Sequence, residues 1–161
     1  MTINEYNKSV EKYSDHIYRF ILKNIKNENT AKDIVQDSYE KLWINRKSVY
    51  FEKVKSYLFT TAYRTMIDII RKQKRISFTD DPGVFEARHE NTYNDIQEIL
   101  HEAIEKLPEV QRSVILLRDY EGYSYKEIAN ITGLNESQVK VYIYRARVYL
   151  KNYIGKIENL V

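Results

Sequence analysis

Lys140, Tyr144, Arg147 and Lys151 follow one another at steps of four, three and four residues, which stacks them on one face of a helix. Val139, Tyr142 or Ile143, Ala146 and Leu150 recur on the other side as an apolar stripe. Cations and a phenol opposite hydrocarbon suit a helix that packs inward and meets a polyanion outward. Just upstream, Tyr123 to Ile131 reads as a short helix and Thr132 to Asn135 as a tight turn, with Gly133 for the reversal, Leu134 to plug the corner and Asn135 as a cap. That is helix-turn-helix spacing, in which the second helix enters the major groove with its N-terminal residues at the base edges. Glu136, Ser137, Gln138, Lys140 and Val141 are then the candidate base readers, and Tyr144, Arg145, Arg147 and Lys151 the candidate phosphate contacts, with Ser124 and Lys126 of the preceding helix beside them. Gln138 can pair with adenine, and Ser137 with several bases. A protein-binding or purely structural helical hairpin has the same outline.

A second group of such residues lies about seventy positions earlier. The loop from Asn45 to Lys53 carries Asn45, Arg46, Lys47, Tyr50, Phe51 and Lys53, and the helix after it carries Arg64, Arg71, Lys72 and Arg75 on its outer side. Aromatic rings between cations suit an unpaired strand, where a base needs an apolar wall and its phosphate a positive charge; the alternative is that Tyr50 and Phe51 tuck under the loop. Asp68 in the same helix is a poor phosphate ligand and is expected to orient Arg71 or Arg64 through an ion pair. A third group is acidic: Asp33, Gln36, Asp37 and Glu40 share a helix side opposite Ile34, Tyr39 and Leu42 and can meet a basic partner, although such a face is often merely solvated.

These groups need elements to hold them. Apolar residues recur at three- and four-residue steps through most of the chain, and only two prolines and four glycines interrupt it, so the expected class is all-α. Val10, Tyr13, Ile17, Phe20 and Ile21 line a first helix; a second starts after Asn29 or Thr30 and runs to Trp43, which reads as a packing anchor rather than a base-stacking residue. Val54 to Lys74 is a long third helix with Leu58, Ala62, Thr65, Met66, Ile69 and Ile70 for its buried side. A second unit begins near Tyr93 or Asp95, with Ile96, Ile99, Leu100, Ala103, Ile104 and Leu107 on its first helix. Pro108 is placed to open the next helix, which runs from Glu109 to Tyr120, and Ser124 to cap the one after. The expected architecture is two small helical domains, 1–76 and 95–161, the second a four-helix unit with the helix-turn-helix, joined by an acidic linker at 77–94 marked by the turn Asp80-Asp81-Pro82-Gly83.

Charge follows the same division. Lys53 to Ile76 holds seven Lys or Arg against one carboxylate, Ser77 to Glu98 six carboxylates against Arg88, and Glu136 to Lys156 five Lys or Arg against Glu136, so two positive blocks flank a negative one and can steer a polyanion. Each of two such small units buries a modest core, so assembly with a partner is expected to matter. The absence of cysteine excludes disulfides and thiolate metal sites and fits a reducing compartment, here the cytoplasm. Neither a signal-peptide pattern nor an apolar run of about 20 residues is present, which argues against secretion and membrane insertion. His16, His89 and His101 are scattered without ligand spacing, and neither a glycine-rich phosphate loop nor a recognisable carboxylate pair occurs, so no metal, no cofactor and no enzymatic activity are expected.

The stretch Leu107-Pro-Glu-Val-Gln-Arg-Ser-Val-Ile-Leu-Leu, then Glu121-Gly-Tyr-Ser-Tyr-Lys-Glu-Ile-Ala and Val139-Lys-Val-Tyr-Ile-Tyr-Arg-Ala-Arg-Val-Tyr-Leu, resembles the C-terminal promoter-binding domain of bacterial sigma factors. Ala31-Lys-Asp-Ile-Val-Gln-Asp-Ser-Tyr-Glu-Lys-Leu-Trp resembles the helix with which these factors grip core RNA polymerase, and Ser56-Tyr-Leu-Phe-Thr-Thr-Ala-Tyr with Ile67-Asp-Ile-Ile-Arg-Lys-Gln-Lys-Arg the helix that holds the separated −10 element. The missing central domain and short linker point to the extracytoplasmic-function class. The resemblance implies that Asp33, Gln36, Asp37 and Glu40 bind polymerase, that the loop from Asn45 and the outer side of the third helix bind the −10 strand, and that the helix-turn-helix binds the −35 duplex. It also implies an anti-sigma partner and a monomer when bound to polymerase. The family usually has asparagine where this chain has Arg64, a departure that strengthens backbone attraction and puts the usual polar contact in doubt. The other readings of the same residues are a stand-alone helix-turn-helix regulator and a polymerase-binding adaptor that does not melt DNA.

Overall fold

The computed structural model describes residues 1–77 and 96–159, with side chains for 1–76 and 96–156. Apart from Ser77, the expected acidic linker lies outside the described residues. Helix α1 (Ile3–Ile25) starts from a reciprocal cap: Glu5 N–H donates to Thr2 Oγ1 at 3.1 Å, and Thr2 N–H donates to Glu5 Oε1 at 2.8 Å. It ends at Lys26, whose φ of 62° is left-handed, a conformation that costs a residue with a Cβ about 1 kcal/mol. Helix α2 (Glu28–Ile44) therefore begins at once. Its cap is Asn27, whose side chain accepts from Thr30 N–H, not Asn29 or Thr30 as expected, because the reversal at Lys26 brings Asn27 into capping position two residues earlier.

A 3-10 turn at Phe51–Lys53 leads into α3 (Val54–Ser77). Helices α1, α2 and α3 enclose Ile17, Phe20, Ile21, Ile34, Leu42, Leu58, Phe59, Ala62 and Met66. Val10, expected inside, is 37% exposed; the buried residue at this level is Ser9, whose hydroxyl donates to Tyr6 O and whose carbonyl accepts from Tyr39 Oη at 2.7 Å. On α3 the fully buried positions include Tyr63 and Ile67, whereas Thr65, Ile69 and Ile70 are half-buried.

The second cluster comprises α4 (Ile96–Glu105), α5 (Glu109–Ile115), α6 (Tyr125–Thr132) and α7 (Glu136–Asn159). Pro108 precedes α5 as its cap with extended ψ rather than standing in its first turn. The helix expected from Glu109 to Tyr120 changes winding at Leu116–Tyr120, where Glu121 N–H reaches back five residues to Leu116 O at 3.1 Å. Helix α7 is the axis of this cluster: Val139, Ile143, Ala146 and Leu150 are buried against α4, α5 and α6, with Ile143 rather than Tyr142 fully inside. Ile96, expected in the core, is exposed at the first residue of α4.

The two clusters also pack on each other. Helix α3 lies against α6 and α1 against α5, and the rings of Phe59 and Tyr123 meet edge-on at 5.4 Å. The fold is all-α, with two helical clusters joined through direct contact.

Candidate nucleic-acid interface

Helices α6 and α7 and their turn have the expected helix-turn-helix outline, and hydrogen bonds pin its corners. Ser124 Oγ accepts from Glu127 N–H while Glu127 Oε1 accepts from Ser124 N–H, so Ser124 is occupied as a cap and Lys126 is the exposed member of that pair. Gly133 closes α6 with φ of 78°, Thr132 Oγ1 donates to Ile128 O, and half-buried Leu134 packs against the core. Asn135 and Gln138 then cap α7 reciprocally: Gln138 N–H donates to Asn135 Oδ1 at 2.8 Å, and Asn135 N–H to Gln138 Oε1 at 3.0 Å. This leaves the Gln138 amide nitrogen as its available base contact unless the cap opens. Glu136, Ser137, Lys140 and Val141 are exposed beside it.

Farther along α7, Tyr144 is 70% exposed and Lys151 is also exposed. Arg147 is held by Asp119 at 2.8 Å, a hydrogen bond that raises the guanidinium pKa above its ordinary value, and Arg145 lies over the Tyr142 ring at 6.0 Å. Tyr125 gathers two more cations, Arg118 at 4.6 Å and Lys140 Nζ at 5.7 Å from its ring centroid. The structure thus presents one basic, tyrosine-bearing face.

The first cluster holds its residues in two places. Beside the loop is a pocket of about 350 Å³, lined by Ser48, Val49, Tyr50, Lys53, Ser56, Tyr57, Thr60, Thr61 and Arg64. Asn45 secures the rim by donating to Tyr57 Oη at 3.1 Å and to Lys41 O at 3.0 Å. Tyr50 is 76% exposed, while Phe51 is half-buried against the core, so the two aromatics divide between the open and tucked arrangements. Arg46 turns away from the pocket, stacking 4.1 Å from the Trp43 ring and donating to Trp43 O; Trp43 itself packs edge-on against Tyr6. Lys47 is exposed. Ser56, Tyr57 and Thr60 were not singled out in the sequence, although their spacing with Lys53 and Arg64 marks one helix face.

Arg64, Asp68, Arg71, Lys72 and Arg75 are all exposed on α3. Arg71 and Lys74 line a separate groove with Pro108, Glu109, Gln111 and Tyr142 of the second cluster. No ion pair joins Asp68 to Arg64 or Arg71 among the described residues, contrary to expectation; water solvates such exposed charges nearly as well as a pair does. On α2, Asp33, Gln36 and Glu40 are exposed and Asp37 is half-buried and paired with Lys41 at 3.0 Å. Among the described residues no acidic or histidine cluster could hold a metal ion, and no helix is long and apolar enough to cross a membrane.

The Sigma-70 region 2 family matches residues 9–76, the span of the first cluster, and the Sigma-70 region 4 family matches residues 97–150, the span of the second. The chain is 36% identical over 149 residues to the RNA polymerase sigma factor SigV of Bacillus subtilis, covering 89% of each chain. It is 30% identical over 156 residues to the ECF RNA polymerase sigma factor SigM of the same organism, covering 94% of each. The chain belongs to the extracytoplasmic-function sigma factors. As a member it is a non-catalytic transcription initiation factor of a family that binds core RNA polymerase and directs transcription. The sigma factor RpoE of Bartonella quintana, solved in complex with the anti-sigma factor NepR, superposes with a TM-score of 0.78 at 25% identity, covering 95% of this chain and 98% of that one. In this sigma factor, region 2 therefore carries the acidic strip and loop pocket, and region 4 the helix-turn-helix.

Proposed function

We propose that this sigma factor joins core RNA polymerase through Asp33, Gln36, Asp37 and Glu40 and selects promoters through two DNA contacts. The pocket beside the Asn45 to Lys53 loop takes a base of the melted −10 strand, with Tyr50 as a wall and Lys53 and Arg64 as cations; Arg71, Lys72 and Arg75 follow the backbone. Glu136, Ser137, Gln138, Lys140 and Val141 meet the −35 duplex, flanked by Tyr144, Arg145, Arg147 and Lys151. The observation that carries this reading is the presence of two separate basic, tyrosine-bearing surfaces, one on each of the two regions that match the family. The acidic residues at 77–94 link the two domains and pass along the polymerase channels. The factor works in the cytoplasm as a monomer on polymerase, and the RpoE–NepR complex supports an anti-sigma partner for this chain as well.

The test is run-off transcription from a genomic promoter library with core polymerase, followed by sequencing of the transcript ends. New start sites sharing two spaced upstream elements are expected. Replacing Ser137 by Ala should cost ~1 to 3 kcal/mol on matched −35 sites only, whereas Lys151→Ala should weaken all sequences and lower the salt slope by about one. Binding to core without new transcripts would favour the adaptor, and specific duplex binding without core the stand-alone regulator.

A further inference from the structure

The loop beside the pocket in the first cluster is anchored differently at its two ends. Downstream, Val49 and Phe51 are half-buried against the hydrophobic core. Upstream, Asn45, Lys47 and Ser48 are exposed, so hydrocarbon cannot hold that end, yet Arg46 between them is half-buried. Its guanidinium lies 4.1 Å from the centre of the Trp43 ring, and its Nη1 donates at 2.9 Å to Trp43 O, one of the last carbonyls of α2, which lack partners within the helix. Trp43 in turn meets Tyr6 edge-on at 5.0 Å. Tyr6 meets the buried Tyr39 edge-on at 6.0 Å and donates to Tyr39 O at 3.3 Å, while its own N–H donates to Thr2 O at 2.9 Å behind the cap of α1. A continuous stack thus runs from the core of the first cluster to the first residues of the loop.

From there the backbone carries the constraint to the pocket. Asn45 O accepts from Ser48 N–H at 2.9 Å and from Ser48 Oγ at 3.0 Å, which closes the turn that delivers Ser48, Val49 and Tyr50 to the pocket wall. Tyr6, Trp43 and Arg46 themselves lie outside the pocket lining. Trp43, the chain's only tryptophan, is 38% exposed, but with Arg46 over its ring and Tyr6 against it the indole is occupied as a support rather than open to a base. A wall that tells one base from another has to be held to within about 0.5 Å.

We propose that Tyr6, Trp43 and Arg46 are positioning residues for base selection: their stack sets where the upstream half of the loop stands, and with it the pocket wall formed by Ser48, Val49 and Tyr50. Arg46 acts through Trp43 and not by neutralising a phosphate. What the pocket selects rests on the −10 reading proposed above, whereas the hold of the stack on the loop does not.

Two measurements on the full-length chain test this role. Amide hydrogen exchange across residues 45–50 should speed up in Arg46→Ala, Trp43→Leu and Tyr6→Leu, by about two- to fivefold for loss of an exposed cation–π contact, while the cores of both clusters exchange as in the parent. Trp43→Phe keeps an aromatic ring beneath the cation and should stay near the parent rate. With core polymerase and a promoter library randomised over both elements, the three variants should lose preference at one −10 position by a similar factor. Their −35 preferences and salt slope should match the parent's, and Trp43→Phe should retain the −10 preference. A phosphate ligand behaves otherwise, since Arg46→Ala alone would weaken all sequences and lower the salt slope by about one. Unchanged exchange in the loop, an effect confined to Arg46→Ala, or a loosened loop with the −10 preference intact would each overturn the positioning role. Faster exchange in all three variants, with no −10 preference even in the parent, would sink the −10 reading and leave the hold of the stack on the loop standing.

Discussion

Tyr123 illustrates what a single side chain contributes at the junction. Its ring is buried against Phe59 and under Lys55, but its hydroxyl has no hydrogen-bond partner among the described residues. A buried hydroxyl without a partner loses its water and gains nothing in return. Tyr123→Phe should therefore stabilise the protein by about 1 kcal/mol, read as a higher midpoint in thermal unfolding; an equal loss instead would mean that the hydroxyl is bonded in solution. Burial also pushes this phenol far above its ordinary pKa of 10.0, and burial is the main cause that pushes Tyr63 up to about 12. Both prefer the neutral form in the folded state, so their contribution is complete below pH 10 and is lost as pH rises above it. The Phe variant should resist alkaline unfolding better than the parent. None of this was legible in the sequence, where Tyr123 read simply as the start of the first helix of the helix-turn-helix.

At the level of elements, the two reciprocal caps at Thr2–Glu5 and Ser124–Glu127 also make helix ends respond to acid. In each, hydrogen bonding to the backbone amide of the cap residue is the main cause that holds the glutamate below its ordinary value of 4.5. A lowered pKa means that the stabilisation is present above pH 4.5 and fades as pH falls through the lowered value. Glu127→Gln keeps the acceptor without the titration, so its helical circular dichroism should change less between pH 5 and pH 3 than the parent's; parallel curves would assign the acid response elsewhere. Helix identity was legible because three- and four-residue apolar spacing is dense, and the caps at Ser124 and Asn135 could be named because Ser and Asn precede clear periodic runs. The start of α2 was not, since the cap at Asn27 depends on Lys26 adopting a left-handed conformation that a lysine does not advertise. Nor was the change of winding at Leu116–Tyr120, where Leu116, Leu117 and Arg118 are good helix formers and neither Gly nor Pro interrupts the run. The candidate site was legible as residue types on faces, but the diversion of Arg46 to Trp43 and of Arg147 to Asp119 arises from tertiary neighbours that spacing alone does not reveal.

For the whole molecule, salt acts on two sets of charges unequally. It screens exposed pairs such as Lys74 with Glu109 more than that of Arg19 with the nearly buried Glu121, and it weakens every phosphate contact through counterion release. Binding of the free chain to a promoter duplex, followed by fluorescence anisotropy, should therefore decline steadily as salt rises, and Arg147→Ala with Lys151→Ala should decline less steeply. Equal slopes would show that these two cations do not meet phosphate. The pose of the clusters was not readable from composition, because Arg19, Lys26, Glu105 and Glu121 look like ordinary surface charges until folding brings them together. The widened turn at Leu116–Tyr120 bears on how this architecture can vary in length. A π segment accommodates one residue more than regular winding requires, so the loss of one residue there would leave an unbroken α-helix whose later residues keep their faces. Glu121 and Tyr123 would keep the faces that meet Arg19 and Phe59, and each cluster its own core. A single-codon deletion at this point is thus a change of length that the two regions could inherit without coming apart.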